Sequence, residues 1–168
     1  MEAAKAGFAQ VGADVSLEEI ARRAGVGIGT LYRHFPTRDA IVEAVYRREV
    51  RQLAEAATRL LASTTPGEAM HQWMRLFVDY IGTKKVIAPA LGAVSGGPSA
   101  IYAASGLTIT EATTMLVERA VGAGDIRSDV DPEDVLRALV GFAYGHDKPG
   151  WQASALRLVD ILMDGMRR

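Results

Sequence analysis

Apolar side chains recur at intervals of three and four residues along nearly the whole chain. No stretch alternates every second residue, so the expected fold is all-α. Ala4, Phe8 and Val11 predict a first helix over 2–12, facing inward with those three and stopping at Gly12. Leu17, Ile20, Ala21 and Ala24 stripe a second helix, with Glu18, Arg22 and Arg23 outside. Ser16-Leu17-Glu18-Glu19 starts it as a capping box, in which the Ser16 hydroxyl accepts from the Glu19 N–H and the Glu19 carboxylate reaches back to the Ser16 N–H. Gly25 stops it. A third, very short helix carries Leu31 and Phe35 at i and i+4 on one face. Gly29, Thr30 and Arg33 fall on another face, flanked by Tyr32 and His34. Pro36 ends it by lacking an N–H and biasing Phe35 away from helical geometry. Val15 completes the expected core of Phe8, Ile20, Leu31 and Phe35.

Thr37 then caps a long helix from Arg38 to about Ala62, with Ile41, Val42, Val45, Tyr46, Val50, Leu53, Ala57, Leu60 and Leu61 at helical spacing. Ser63-Thr64-Thr65-Pro66-Gly67 reads as a linker. A helix over 67–82 carries Met70, Trp73, Met74, Phe77, Val78 and Ile81. A short helix over 86–94, a loop at 95–97 and a helix over 99–121 follow, the last ended by Gly122-Ala123-Gly124. Asp131 caps the next helix, with Pro132 at its first position and Asp134 at its third; it runs to about Gly145. After a loop over 146–150, a last helix runs from Trp151 or Gln152 to Met166. The expected organisation is two domains, over 1–50 and 51–168.

A helix, a short glycine turn and a second short helix make a helix-turn-helix, whose second helix normally enters the DNA major groove. Bulk charge adds nothing to that reading. The formal net charge of the 168 residues is −1, and residues 1–51 hold eight Lys/Arg against seven Asp/Glu. Affinity for DNA must come from placement of charge. Thr30, Tyr32 and His34 can hydrogen-bond phosphates, and Arg38 can pair with one. Arg33 is the candidate for a base edge, because a guanidinium bonds guanine O6 and N7 together. Gly29 allows close approach, and Ile28 can touch a thymine methyl. Ser16 has its cap role with or without a phosphate contact. Tyr32 and His34 can instead pack the domain edge.

The run IARRAGVGIGTLYRHFPTRDAIVEAV resembles the DNA-binding domain of the tetracycline-repressor (TetR) family of bacterial transcription factors. The core AGV-x-x-G-T-L-Y-x-H-F, with a basic residue three after the Phe, carries the resemblance, which covers roughly residues 1–50. It implies phosphate contacts at Tyr32, His34 and Arg38. Two positions depart from the family: Gly27 stands where Ser is common, and Ile28 where a polar base reader is frequent. A basic arm usually precedes the first helix in the family, whereas Met1 stands almost inside it; either the arm is lacking or the sequence is not the whole natural chain.

The resemblance further implies a helical C-terminal domain that binds a small-molecule effector and forms a homodimer on a palindromic double-stranded DNA operator. Trp73, Met74, Phe77, Tyr80, Leu91, Tyr102 and Met115 are candidates for an apolar effector pocket, although aromatic and Met side chains at helical spacing are usually core. Leu136, Leu139, Phe142, Trp151, Leu158 and Leu162 on the last two helices are candidates for the dimer surface. Two-fold symmetry would set the recognition helices about 34–36 Å apart, or a multiple of that.

Other classes find little support. The absence of Cys removes disulfides and thiolate chemistry and suits a reducing cytoplasm. MEAAKAGFAQ has no apolar run of the kind a signal peptide needs. Val86 to Thr110 is uncharged, but Pro89, Gly96-Gly97-Pro98 and Gly106 break it as a membrane span. No metal or cofactor is expected: His34, His71 and His146 lie far apart, and the glycines match neither a P-loop nor a dinucleotide fingerprint. The reading is a DNA-binding regulator, most often a repressor, and not an enzyme. The alternatives are a dimeric DNA-binding protein without an effector, and a helical enzyme or ligand carrier that retains the motif.

Overall fold

A computed structural model describes residues 1–12, 14–92, 99–144 and 149–168, with residues 99–101 and 104 described by their backbone alone. Among the described residues there are eight helices: α1 (Glu2–Val11), α2 (Leu17–Ala24), α3 (Ile28–His34), α4 (Arg38–Ser63), α5 (Pro66–Gly92), α6 (Ser99–Ala123), α7 (Pro132–Tyr144) and α8 (Trp151–Met166). Strand pairing among these residues is limited to an isolated antiparallel bridge between Ile126 and Arg167. No helix of the described residues is long and apolar enough to cross a membrane. Contacts divide the chain into two compact units, one of Met1–Glu49 with Thr83–Ser105 and the other of Val50–Gly82 with Gly106–Arg168.

The first unit closes around Phe8, Val15, Ile20, Ala21, Leu31, Ile41, Val42 and Tyr46, all buried. Phe35 is half-buried, and Val11, expected inside, is 54% exposed. Val11 sits in the last turn of α1, just before Gly12 takes a φ of 88° and turns the chain away. Gly7 takes an inward position instead: a Cβ there would lie 3.3 Å from the Val15 side chain, so its lack of a side chain lets the α1 backbone approach Val15. Lys5 pairs with the buried Glu49 and Arg48 with Glu2, tying α1 to α4. Thr37 caps α4, its hydroxyl accepting from the Ala40 N–H at 3.1 Å.

In the second unit Trp73, Met74, Phe77, Leu116, Ala120, Leu139, Val159 and Met163 are buried. Asp125 accepts at 2.7 Å from the N–H of Gly67 in the first turn of α5. His71 and Arg75 on α5 both reach Asp160 on α8, each at 2.8 Å. Asp131 caps α7 by accepting from the Glu133 N–H at 2.7 Å.

The separate helices expected over 67–82 and 86–94 are corrected. One helix, α5, runs to Gly92, with Gly82 and Pro89 inside it. Gly82 stays helical because it serves close packing: a Cβ there would come 2.7 Å from the Gln152 amide nitrogen. Pro89 falls in the last turn, where its missing N–H costs only the bond to the carbonyl four residues earlier. The loop expected at 95–97 and most of that at 146–150, with His146 and Asp147, lie outside the described residues.

Candidate nucleic-acid interface

Local chemistry sets the turn between α2 and α3. Gly25 adopts φ 68°, ψ 27°, a left-handed conformation that costs a residue with a Cβ about 1–2 kcal/mol. Its N–H donates to the Arg22 carbonyl while the Val26 N–H donates to the Ala21 carbonyl, which closes α2 with a Schellman motif. Gly27 then begins α3 without a side-chain cap, its carbonyl accepting from Thr30 and Leu31. The single buried side chain of α3 is Leu31. Ile28, Gly29, Tyr32, Arg33 and His34 are exposed and Thr30 is half-buried. Tyr32 is 44% exposed, so the edge-packing alternative accounts for at most part of its surface.

Half of the expected capping box is present at α2. The Ser16 hydroxyl accepts from the Glu19 N–H at 3.1 Å. The Glu19 carboxylate is instead taken by Arg22 (2.7 and 2.8 Å) and Arg23 (2.6 Å) on the following turn. Those hydrogen bonds, Arg22's first, hold the Glu19 carboxyl at about 2 against an ordinary 4.5. The same pairing raises the Arg22 guanidinium above its usual value. Arg23 also donates to Gln10 at 2.6 Å, joining α2 to α1.

Arg38, expected to pair with a phosphate, makes contacts inside the domain. It is half-buried, with Nη1 donating to the Val15 carbonyl and the guanidinium 5.8 Å from the centre of the Phe8 ring. Its Nη2 is buried with no partner among the described residues. In this arrangement Arg38 is a brace under the helix-turn-helix.

Apart from Arg33, the other Lys and Arg side chains of residues 1–49 are also committed. Lys5 pairs with Glu49, Arg22 and Arg23 with Glu19, Arg47 with Glu43 and Arg48 with Glu2. Among the described residues Arg33 alone of this set has no ion pair or hydrogen bond, and it stands exposed on α3. Among the described residues, 1–49 thus present a single uncommitted Lys or Arg side chain, on their shortest and most exposed helix.

Comparison with known proteins fits this geometry. Residues 1–45 match the tetR family of bacterial regulatory proteins, and residues 65–168 match the C-terminal domain of SbtR-like transcriptional regulators. The chain belongs to the TetR family. Among solved structures, the TetR transcriptional regulator SCO0520 of Streptomyces coelicolor is 46% identical, with a TM-score of 0.90 over 99% of this chain and 95% of that one. A TetR transcription regulatory protein of Mycobacterium vanbaalenii is 34% identical, with a TM-score of 0.83 over 99% and 92%. The HTH-type transcriptional regulator SAR0097 of Staphylococcus aureus is 30% identical over 77 residues, which span 44% of this chain and 40% of that protein.

The other expected sites are distributed as follows. Trp73, Met74 and Phe77 are wholly buried in the second unit, and Trp73 donates its indole N–H to the Leu53 carbonyl at 2.8 Å. Trp73, Phe77 and Tyr80 meet in series at tilted angles of 40° and 56°, their ring centres 5.8 and 5.7 Å apart. These are core contacts. Met115 is half-buried in the same unit, whereas Leu91 and Tyr102 belong to the first. Of the residues expected at a dimer surface, Phe142, Leu158 and Leu162 line an open groove of about 650 Å³ between α7 and α8, with Ile161 and Val135 beside them. Arg127 and Asp129 pair at the rim of this groove. Leu136 and Trp151 are half-buried, and Leu139 is wholly buried within the second unit, so it serves the core there.

Sequence reasoning missed two clusters. One is His71, Arg75 and Asp160. The other is in the first unit, where the Tyr46 and Tyr102 rings meet edge to face at 5.5 Å and the Lys84 ammonium lies 4.8 Å from the Tyr102 ring centre. A lysine between two apolar helical positions was the available signal for the second; nothing in the sequence paired residue 71 with residue 160.

Proposed function

We propose that this TetR-family chain is a cytoplasmic repressor that binds a palindromic operator as a homodimer and is released from it by a small apolar ligand. The observation that carries the reading is the exposed Arg33 on α3, which among the described residues has no ion pair while the other Lys and Arg side chains of 1–49 are engaged. Arg33 reads a base edge, most effectively a guanine. Thr30, Tyr32 and His34 fix register on phosphates, while Gly29 and Ile28 lie against the groove. Ser16 adds a phosphate contact only if its hydroxyl bonds outward while still accepting from Glu19. Arg38 braces Val15 and Phe8 and turns to a phosphate only by giving up Val15.

Half-buried Leu136, Phe142, Leu158 and Leu162 and exposed Val140 and Ile161 make the outer face of α7 and α8 an apolar surface suited to a second copy of the chain. Ligand would act by preferring the dimer shape that misplaces the α3 helices, to the extent of its differential affinity for the two shapes. The core roles of Trp73 and Phe77 favour, as a second reading, a dimeric DNA-binding protein with no effector.

Selection of random duplex DNA by the purified protein at near-physiological salt tests the proposal. A palindromic consensus is the expected result. No enrichment by a folded, dimeric chain contradicts it.

A further inference from the structure

The proposed function leaves the Lys84 cluster without a role. Lys84 on α5, Tyr46 on α4 and Tyr102 on α6 all lie in the first unit, so the three helices bring them together within one compact body. Tyr46 is buried; Lys84 and Tyr102 are half-buried. Among the described residues no carboxylate pairs with Lys84, and its partner is the face of the Tyr102 ring. Glu49, one turn beyond Tyr46 on α4, is already held by Lys5. Burial lowers the Lys84 ammonium from its ordinary value and raises the Tyr102 phenol. A ring quadrupole offsets part of the loss of water around an ammonium, and an anion offsets much more.

We propose that Lys84, set over the Tyr102 ring that Tyr46 meets edge to face, anchors the carboxylate of a small apolar acid, which is the effector. One ammonium with no arginine fork beside it suits a single negative charge rather than a phosphate dianion. The apolar part of the ligand follows from Ile87 and Leu91, at i+3 and i+7 from Lys84 on α5 and both buried. The inference rests on the effector-released reading above and gives the ligand its chemical class. It also places the ligand beside Tyr46 on α4, the helix that follows α3 in the chain.

The test uses the full chain with decanoate and 1-naphthylacetate as probes and their primary amides as neutral counterparts, read by thermal shift and by titration calorimetry. Both carboxylates should raise Tm and bind on the order of 10- to 100-fold more tightly than the amides, the range expected for a charge-assisted bond. Lys84→Met should abolish the difference and Lys84→Arg should keep most of it, with circular dichroism confirming that each variant is folded. Should Lys84→Met fail to fold, Lys84→Gln replaces it. Equal binding of acid and amide, an undiminished difference in Lys84→Met, or no response of the wild type to either acid overturns the proposal. Duplex selection is run on the same preparation. Enrichment without an acid response discards the anchor and keeps the DNA reader; an acid response without enrichment does the reverse.

Discussion

The helix-turn-helix over Leu17–His34 and the long helix α5 are both interrupted by glycine in sequence, yet the interruptions do opposite things. Gly25 takes a left-handed conformation and ends α2. Gly82 stays inside α5, and its missing side chain makes room for Gln152, seventy residues away in sequence. In the first region each signal acts on its immediate neighbours: Ser16 on Glu19, Gly25 on the carbonyls of α2, Pro36 on Phe35. In the second, the meaning of a residue is fixed by a distant element. Short helices with little hydrophobic face depend on punctuation, and long ones depend on packing.

The largest test of this contrast is Trp73→Ala. As a buried core residue bonded to Leu53, its truncation should cost about 3–5 kcal/mol in denaturant unfolding. A loss below about 1 kcal/mol would mean that the ring lines open space rather than core. Next is Arg38→Ala, which strands the Val15 carbonyl and removes the cation from the Phe8 ring. It should cost about 1.5–3 kcal/mol of stability. Unchanged stability with weaker binding to every DNA sequence would return Arg38 to the phosphate role.

A matched pair addresses the glycines themselves. Gly25→Ala should destabilise by about 1–2 kcal/mol, because φ there is 68°. Gly82→Ala should stay within about 1 kcal/mol of zero, since the helix gains propensity while the flexible Gln152 amide swings aside. Equal losses at the two sites would erase the distinction between stop and packing glycine.

The smallest effect concerns acid. Glu19 sits at about 2 in the folded protein against an ordinary 4.5, chiefly through Arg22 and then Arg23. Its carboxylate form is therefore favoured by folding. That contribution is complete above about 4.5 and is lost as pH falls toward 2. Glu19→Gln should flatten the acid-unfolding profile between those values and lower stability at pH 7 by the same amount, which solvent screening keeps small. An unaltered acid profile would mean that the Glu19 pairing does not persist in solution.

The helices of the first region could be read almost residue by residue, because caps, stops and the Leu31 anchor are local. The limits of α6, α7 and α8 were legible for the same reason. Packing between elements was not. Nothing around Gly82 announces Gln152, and nothing at Arg38 announces that it faces Val15 and Phe8. The role of Glu19 was half legible: its reach for Arg22 and Arg23 competes with its reach for Ser16, and two charged partners outweigh one amide. Lys84 was passed over because its meaning lies in two tyrosines on other helices. The aromatic and Met residues of α5 are at helical spacing more often core than pocket, and the burial of Trp73, Met74 and Phe77 agrees with core.

The central claim is that α3 presents Arg33 to the bases while the remaining cations of its domain hold the protein together. The most direct measurement is the affinity of Arg33→Ala for the selected duplex and for a set carrying each single-base change, beside its unfolding curve. The account predicts stability within about 0.5 kcal/mol of wild type and a loss of about 1–3 kcal/mol on the selected site. It also predicts relaxed base choice at one position in each half-site. An equal loss on every duplex, or none, would contradict it.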